Sequence, residues 1–275
     1  MRADNSQDTA TRPRLLASTG PLSFGPLGSA LETIADAGFQ GAEVLVTRAP
    51  ESRDPDRLLA LASETGLDVP VVHGPYMVLL RGVLGAHYVE KSRRSLELAA
   101  AIGAQLLVAH APMRWERGHR GWLAREAAGE AAAYGPRLGV ENLFPVGGLA
   151  LSSVITAAQL AAFPHVVFDT SHFGVAGIDL LSAWDALGER VAHIHLSDNL
   201  GGGRDSHAPI GAGTLPLEAF CARVAASGYD GTVTLELDCR RYLNDRTALV
   251  GFLSAQRRRA QRMLLIADET EVAPQ

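Results

Sequence analysis

Residues 191–213 read VAHIHLSDNLGGGRDSHAPIGAG, and the interpretation of the whole chain begins from this stretch. Apolar residues alternate with histidines over 191–196, which predicts a buried strand with His193 and His195 on the same side. The glycine-rich segment after it predicts a loop. That loop carries three further candidate ligands for a divalent metal, Asp198, Asp205 and His207. The stretch therefore predicts a strand that ends at a metal site.

Short apolar runs alternate with helical segments along the rest of the chain, one of them near 152–163. Eight strands are predicted, at 15–18, 41–46, 69–73, 105–110, 138–141, 166–169, 191–196 and 232–236. Eight strand and helix pairs in 275 residues favour an α/β fold of one domain, a closed (β/α)8 TIM barrel, over an open doubly wound sheet. We expect the barrel to cover 15–268, between a frayed amino-terminal tail (1–14) and a carboxyl-terminal tail (269–275).

Composition narrows the classes of function. The formal net charge of -5 gives no support for general electrostatic binding to nucleic acid or to an anionic membrane. Two cysteines, Cys221 and Cys239, exclude a disulfide framework and a thiolate zinc cluster, so a bound metal would have nitrogen and oxygen ligands. The chain lacks an apolar run of the roughly 20 residues that span a bilayer, and its opening lacks a secretory signal. We expect a cytoplasmic protein with no membrane partner; the oligomeric state stays open.

Polar side chains end six of the eight predicted strands. In a parallel barrel these ends meet at one face, where active sites lie. Together with His172 and with Asp205 and His207 of the loop after the seventh strand, they give nine candidate metal ligands: His73, His110, Glu141, Asp169, His172, His195, Asp205, His207 and Glu236. A single strand-end histidine is often only structural, and we interpret His193 in that way. Four carboxylates buried together without a cation would cost many kcal/mol, so the set predicts metal.

Several motifs carry a family resemblance: HGPY at 73–76, EN at 141–142, DTSH at 169–172, HLSDN at 195–199, RDSHAPIGAG at 204–213 and LEL at 235–237. They resemble the xylose isomerase-like TIM-barrel superfamily, which contains sugar and sugar phosphate isomerases and epimerases and also endonuclease IV. The isomerase branch implies one Mn²⁺, Mg²⁺ or Co²⁺ held by Glu141, Asp169, His195 and Glu236. Glu141 and Glu236 would then be the acid/base pair for a small sugar or sugar phosphate.

The endonuclease IV branch implies a fuller site, with up to three Zn²⁺ ions on all nine ligands and with Glu141, Glu236 and His172 as catalytic residues. Adjacent metals suit phosphodiester hydrolysis, because they activate a water and stabilise the leaving alkoxide. Our first hypothesis is therefore a metal-dependent hydrolase of abasic (AP) DNA, a DNA-repair activity. The isomerase or epimerase is the alternative, and a non-catalytic metal- or sugar-binding barrel is a third class.

Two loops bear on the substrate. Tyr76 and Arg81 follow His73 in a segment that resembles the lesion-binding stretch of endonuclease IV. The segment after His110 supplies Arg114, Trp115, Arg117 and Trp122, which we interpret as phosphate-binding and base-stacking residues. The same loop is equally compatible with a lid over a sugar phosphate. Sequence departures, such as HAP at 110–112 where endonuclease IV usually has HPG, weigh against DNA more than against metal.

Overall fold

The computed structural model describes residues 12–76, 80 and 82–265, and its eight parallel strands close into one barrel in chain order. The strands are β1 Arg14–Ser18, β2 Gly41–Leu45, β3 Asp68–His73, β4 Leu106–His110, β5 Arg137–Glu141, β6 Val166–Asp169, β7 Val191–Leu196 and β8 Thr232–Leu235. The ladder closes where β1 pairs with β8, with Ala17 opposite Leu235. The chain is thus a single-domain (β/α)8 TIM barrel, and this prediction is confirmed.

Helices surround the barrel. They are α1 Leu27–Asp36, α2 Pro55–Thr65, α3 Tyr88–Ala101, α4 Arg117–Arg125, α5 Ala127–Tyr134, α6 Ala157–Leu160, α7 Thr170–Val175, α8 Leu180–Leu187, α9 Leu217–Ala226 and α10 Arg246–Met263. Short 3₁₀ turns lie at Gly20–Leu22, Pro50–Ser52, Gly188–Arg190 and Arg240–Tyr242. Most of the predicted tails falls outside the described residues. In the described part of the chain, no helix has the length and apolar character needed to cross a membrane.

Local sequence sets where helices begin and end. The side chain of Asp54 accepts hydrogen bonds from the first-turn amides of α2, and Pro55 opens the helix where no amide partner is needed. Gly66 ends it at φ 69°, a left-handed conformation that favours glycine. The helix predicted near 152–163 is wrong in length, since α6 covers one turn only. Ser152 instead forms an antiparallel β-bridge with Met113, and this pairing holds the residues before α6 in an extended loop.

Successive side chains along each strand point alternately toward the helices and into the barrel, so the protein has two apolar cores. Every second strand residue faces the helices, while a smaller apolar cluster fills the barrel interior. The interior cluster consists of Leu16, Val71, Leu106, Val108, Val167 and Ala192. Two residues beyond Val71, Val108 and Val167 stand His73, His110 and Asp169, and the two-residue period puts these on the same inner face. A buried polar layer therefore sits on the apolar floor at the carboxyl end of the barrel.

Candidate metal centre

A cavity of about 550 Å³ opens over this polar layer, at the face where catalytic sites of TIM barrels lie. Its volume is that of a small-molecule site. Seven of the nine predicted ligands line the cavity: His73, His110, Glu141, His172, Asp205, His207 and Glu236. Asp169 and His195 lie beneath, with no exposed surface. Apolar side chains complete the wall, including Phe24, Met113, Leu143 and Phe144.

Four of these residues form a central group. One ligand atom each from Glu141, Asp169, His195 and Glu236 lies within 4.8 Å of the others. The Nδ1 atom of His195 is 2.7 Å from Glu141 Oε1, 3.2 Å from Glu236 Oε2 and 3.6 Å from Asp169 Oδ2. The strand ends of β5, β6, β7 and β8 bring these side chains together from positions almost 100 residues apart. The group has the size of a coordination sphere.

Unpartnered oxygen atoms test whether a metal fits. Among the described residues, Glu141 Oε2 and Asp169 Oδ2 are buried and make no hydrogen bond of good geometry. Such atoms are costly unless a cation or proton compensates them. Three carboxylates and one imidazole are also ordinary ligands of divalent metals. The donor set and its orphaned oxygens therefore fit a bound divalent cation.

His73 and His110 extend the group on one side. The Nε2 atoms of His110 and His73 lie 3.1 Å and 3.6 Å from Glu141 Oε2, and the three residues form a second possible metal group. His73 Nδ1 lies 2.7 Å from the carbonyl of Gly74, which assigns its proton to Nδ1 and turns Nε2 toward the cavity. The ring of Tyr76 stacks on His110 with centroids 5.1 Å apart.

A third possible metal group, Asp169, His172 and His207, extends the cluster on the other side. His172 Nδ1 lies 2.8 Å from the carbonyl oxygen of Asn142, and its Nε2 is 3.4 Å from Asp205 Oδ2. Asp205 is also 2.8 Å from His207 Nε2. His207 has φ 39°, in the left-handed region that is rare for residues other than glycine. Such backbone strain is found preferentially at functional sites.

Charges in the cluster are strongly coupled. Burial opposes ionisation of Glu141, but the Coulombic attraction of His195 and His110 outweighs it and holds the pKa of Glu141 well below its usual value. Burial also disfavours the imidazolium of His195, yet Glu43 and Glu141 raise its pKa well above the ordinary value. For His207, the hydrogen bond of Asp205 overcomes burial and raises the pKa to about 9. Protons thus supply the positive charge that a metal would bring.

Glu43 is a buried polar residue of this cluster that the sequence interpretation missed. It lies in the middle of β2 with no exposed surface, 2.8 Å from His193 Nε2 and 3.1 Å from His195 Nε2. The available signal was a lone charge inside the apolar run GAEVLV. Such a residue does not stand at a strand end, so the rule that found the candidate ligands passes over it.

Four of the remaining candidates, Arg114, Trp115, Arg117 and Trp122, lie outside the cavity lining that the structure describes. Arg114, Trp115 and Arg117 are exposed, and the described residues that line the cavity do not include them. The stacking role for Trp122 is wrong, because its ring is buried and its indole N–H donates to Glu130 Oε1 at 2.8 Å. Arg81 lies outside the described residues.

Asp198, one of the loop's candidate ligands, is buried away from the cavity lining that the structure describes. Its carboxylate oxygens accept hydrogen bonds from four backbone amides of the same loop, those of Asn199, Gly211, Gly213 and Leu215. Asp198 therefore organises the loop that carries Asp205 and His207.

Comparisons with known proteins agree with this architecture. A protein-family profile described as "Xylose isomerase-like TIM barrel" matches residues 31–261, most of the chain. An uncharacterized protein of Mycobacterium leprae (strain TN) is 30% identical over 251 residues, which are 82% of this chain and 90% of that protein.

Solved structures share the fold at low identity. An L-ribulose 3-epimerase aligns with a TM-score of 0.69 at 20% identity, covering 95% of this chain and 100% of that one. A D-allulose 3-epimerase from Methylomonas sp., solved in complex with D-allulose, aligns at 0.68 and 16% identity, covering 91% and 98%. A family 2 AP endonuclease from Brucella melitensis aligns at 0.66 and 18% identity, covering 82% and 93%. At these identities the likeness shows the fold.

Proposed function

We propose that this chain, which belongs to the xylose isomerase-like TIM barrel family, is a metal-dependent isomerase or epimerase of a small sugar or sugar phosphate. The observation that carries the proposal is the four-residue group of Glu141, Asp169, His195 and Glu236 beneath a cavity of small-molecule size. Structural neighbours named as sugar epimerases add support. The cavity would enclose a monosaccharide, whereas Arg114 and Arg117, two of the predicted DNA-binding residues, are not among the described residues of its lining.

Glu141, Asp169, His195 and Glu236 would hold the cation. This oxygen-rich donor set suits Mn²⁺, Mg²⁺ or Co²⁺. When bound, such an ion would polarise the substrate carbonyl and so acidify the hydrogen on the neighbouring carbon.

Glu141 and Glu236 would exchange the proton. They approach the cavity from β5 and from the end of β8, strands that β6 and β7 separate on one side. One carboxylate removes the proton from the carbon beside the carbonyl, and the other delivers a proton to the opposite face, which inverts that carbon. Return of the proton to the adjacent carbon would instead give isomerisation. His172 and His207, which line the same cavity, would hydrogen-bond the sugar hydroxyls.

Deuterium exchange tests this proposal. The purified protein, loaded with Mn²⁺, Mg²⁺ or Co²⁺, is incubated in D₂O with ketopentoses, ketohexoses and their phosphates, and the products are analysed by NMR. We expect deuterium at the carbon beside the carbonyl. Glu236→Gln should slow the exchange by about 10²- to 10⁴-fold, the range of general acid–base catalysis.

The matched control is Glu218→Gln on α9, whose side chain is 83% exposed and should leave exchange unchanged. A protein that binds metal but exchanges no proton of any sugar in the panel would contradict the proposal. So would turnover that is the same in Glu236→Gln as in the native chain, which is the outcome expected of a non-catalytic barrel.

A hydrolase of abasic DNA is the second candidate. Its specific support is the presence of two flanking possible metal groups, His73 with His110 and Glu141, and Asp169 with His172 and His207, which with the central group would provide ligands for up to three Zn²⁺ ions. In this case Tyr76, Arg81, Arg114, Trp115 and Arg117 would contact the damaged DNA, and His172 would join Glu141 and Glu236 in catalysis.

Metal content separates the two candidates. Elemental analysis near three ions per chain favours the hydrolase, and near one favours the isomerase. His73→Ala should abolish cleavage of an abasic duplex but have a much smaller effect on sugar proton exchange. Intact DNA strands at stoichiometric enzyme, with Zn²⁺ or Mn²⁺ present, would remove the hydrolase.

A further inference from the structure

We infer that Glu43 is a positioning residue of the metal centre: its carboxylate accepts the Nε2–H of His195 and thereby directs the Nδ1 lone pair of that ring at the cation. The inference rests on the proposed metal-dependent function. It assigns a role to a buried carboxylate that lies in the barrel interior, outside the central four-residue group.

Geometry fixes which nitrogen carries hydrogen. Glu43 Oε1 and Oε2 lie 3.1 Å and 3.2 Å from His195 Nε2, and Oε2 lies 2.8 Å from His193 Nε2. An ionised carboxylate only accepts hydrogen bonds, so both imidazoles must donate from Nε2. When neutral, each ring then has its lone pair on Nδ1.

His193 provides an independent check of this assignment. Its Nδ1 lies 2.6 Å from the hydroxyl of Thr232, a group that can donate a hydrogen bond to a lone pair. The two histidines thus share one arrangement, with Nε2–H on Glu43 and Nδ1 turned outward. In His193 the outward nitrogen meets a hydroxyl; in His195 it meets the three carboxylates of Glu141, Asp169 and Glu236.

Glu43 also restrains the His195 ring mechanically. Neither side chain has any exposed surface, so water cannot replace the carboxylate as acceptor. Without that acceptor, the buried N–H of His195 would be unsatisfied, and rotation of the ring would relieve it at the expense of the metal ligand. Mutation of a carboxylate that holds a ligating histidine in this way typically weakens metal binding by about 10- to 100-fold.

The decisive variant is Glu43→Gln, which keeps the volume of the side chain. Its amide offers one acceptor oxygen, and its nitrogen is a donor that faces one of two imidazole N–H groups. We expect Mn²⁺ to bind 10- to 100-fold more weakly by isothermal titration calorimetry, and the visible spectrum of bound Co²⁺ to change. Thermal unfolding of the metal-free variant should remain cooperative, which shows that the barrel is intact.

Thr232→Val is the matched control, because it disturbs the far end of the same hydrogen-bond chain without touching Glu43. It should change the Mn²⁺ dissociation constant by less than about 3-fold, which is about half a log unit. Equal losses in both variants, or native affinity and an unchanged Co²⁺ spectrum in Glu43→Gln, would overturn the inference. Both readouts are taken without substrate, so they are independent of whether the protein turns over a sugar.

A measurement on the native chain covers the case in which Glu43→Gln does not fold. With ¹⁵N-labelled histidine rings and Zn²⁺ as a diamagnetic probe, NMR reports which nitrogen is metallated. We expect Nδ1 of His195 to bind the ion and Nε2 to keep its proton. Metallation of Nε2, which would make Glu43 a ligand within the possible group of Glu43, His73 and His195, would overturn the inference.

Discussion

Replacing Asp198 by asparagine should destabilise the loop that carries Asp205 and His207. Asp198 Oδ1 accepts from the amides of Asn199 and Leu215 at 2.8 Å and 3.0 Å, and Oδ2 accepts from those of Gly211 and Gly213 at 2.9 Å and 3.0 Å. Asparagine keeps one acceptor oxygen, so two of these bonds are lost and a donor faces two donors. At about 1.5–3 kcal/mol for each bond to a charged group, the cost is about 3–6 kcal/mol.

Thermal unfolding followed by circular dichroism measures this cost. For a domain of this size, 3 kcal/mol lowers the melting temperature by about 6 °C or more. Asp185→Asn is the control, since it removes an exposed ion pair with Arg223 and should cost about 1 kcal/mol at most. A melting temperature of Asp198→Asn equal to that of the control would refute the reasoning.

Other predictions concern the metal, protons and core. Protein with free metal at 100 times its dissociation constant should be more stable than chelator-treated protein by about 2.7 kcal/mol in the free energy of unfolding. Differential scanning fluorimetry should show this as a lower melting temperature after chelation, and an unchanged melting temperature would argue against a metal centre. His207 has a pKa of about 9, so its contribution to the stability of the metal-free protein is full below about pH 6.5 and is lost as pH rises through 9. Apparent metal affinity, measured by calorimetry, should rise over the same range, because a neutral His207 no longer places a positive charge beside Glu236 and Asp169, and a flat profile would contradict this. Phe168→Ala should cost about 3–5 kcal/mol in urea unfolding, because the ring is fully buried between Phe173 and Phe220; a loss below 1 kcal/mol would show that this core repacks.

The strand positions followed closely from sequence because barrel strands leave a strong local signal. β3, for example, was expected at 69–73 and runs over Asp68–His73. Helix lengths were less predictable, and the one-turn α6 shows why. Its apolar periodicity is typical of a longer helix, but the contact of Ser152 with Met113 from a distant loop holds the chain extended. Such tertiary contacts override local propensity.

Sequence also predicted the roles of some polar residues near the cavity and not those of others. Asp198 and Asp205 stand in one loop, and only Asp205 belonged to the predicted nine-ligand set; Asp205 lines the described cavity, whereas Asp198 does not. The backbone amides that fold around Asp198 depend on the path of the whole loop, which residue spacing does not specify. Glu43 was passed over because its partners, His193 and His195, are about 150 residues away in the chain.

The barrel and the residues that could meet at its mouth were predictable from the order of the amino acids alone. Both follow from short-range rules: strands alternate with helices, and the last residue of each parallel strand faces the same end. Three-dimensional contacts were needed to find which candidate donors lie close enough to share one ion, which carboxylate lies behind His195, and that Arg114 and Arg117 stand away from the described cavity lining. These are matters of distance and direction between side chains far apart in sequence, and burial gives them their energetic weight because a charge removed from water must find its partner in space.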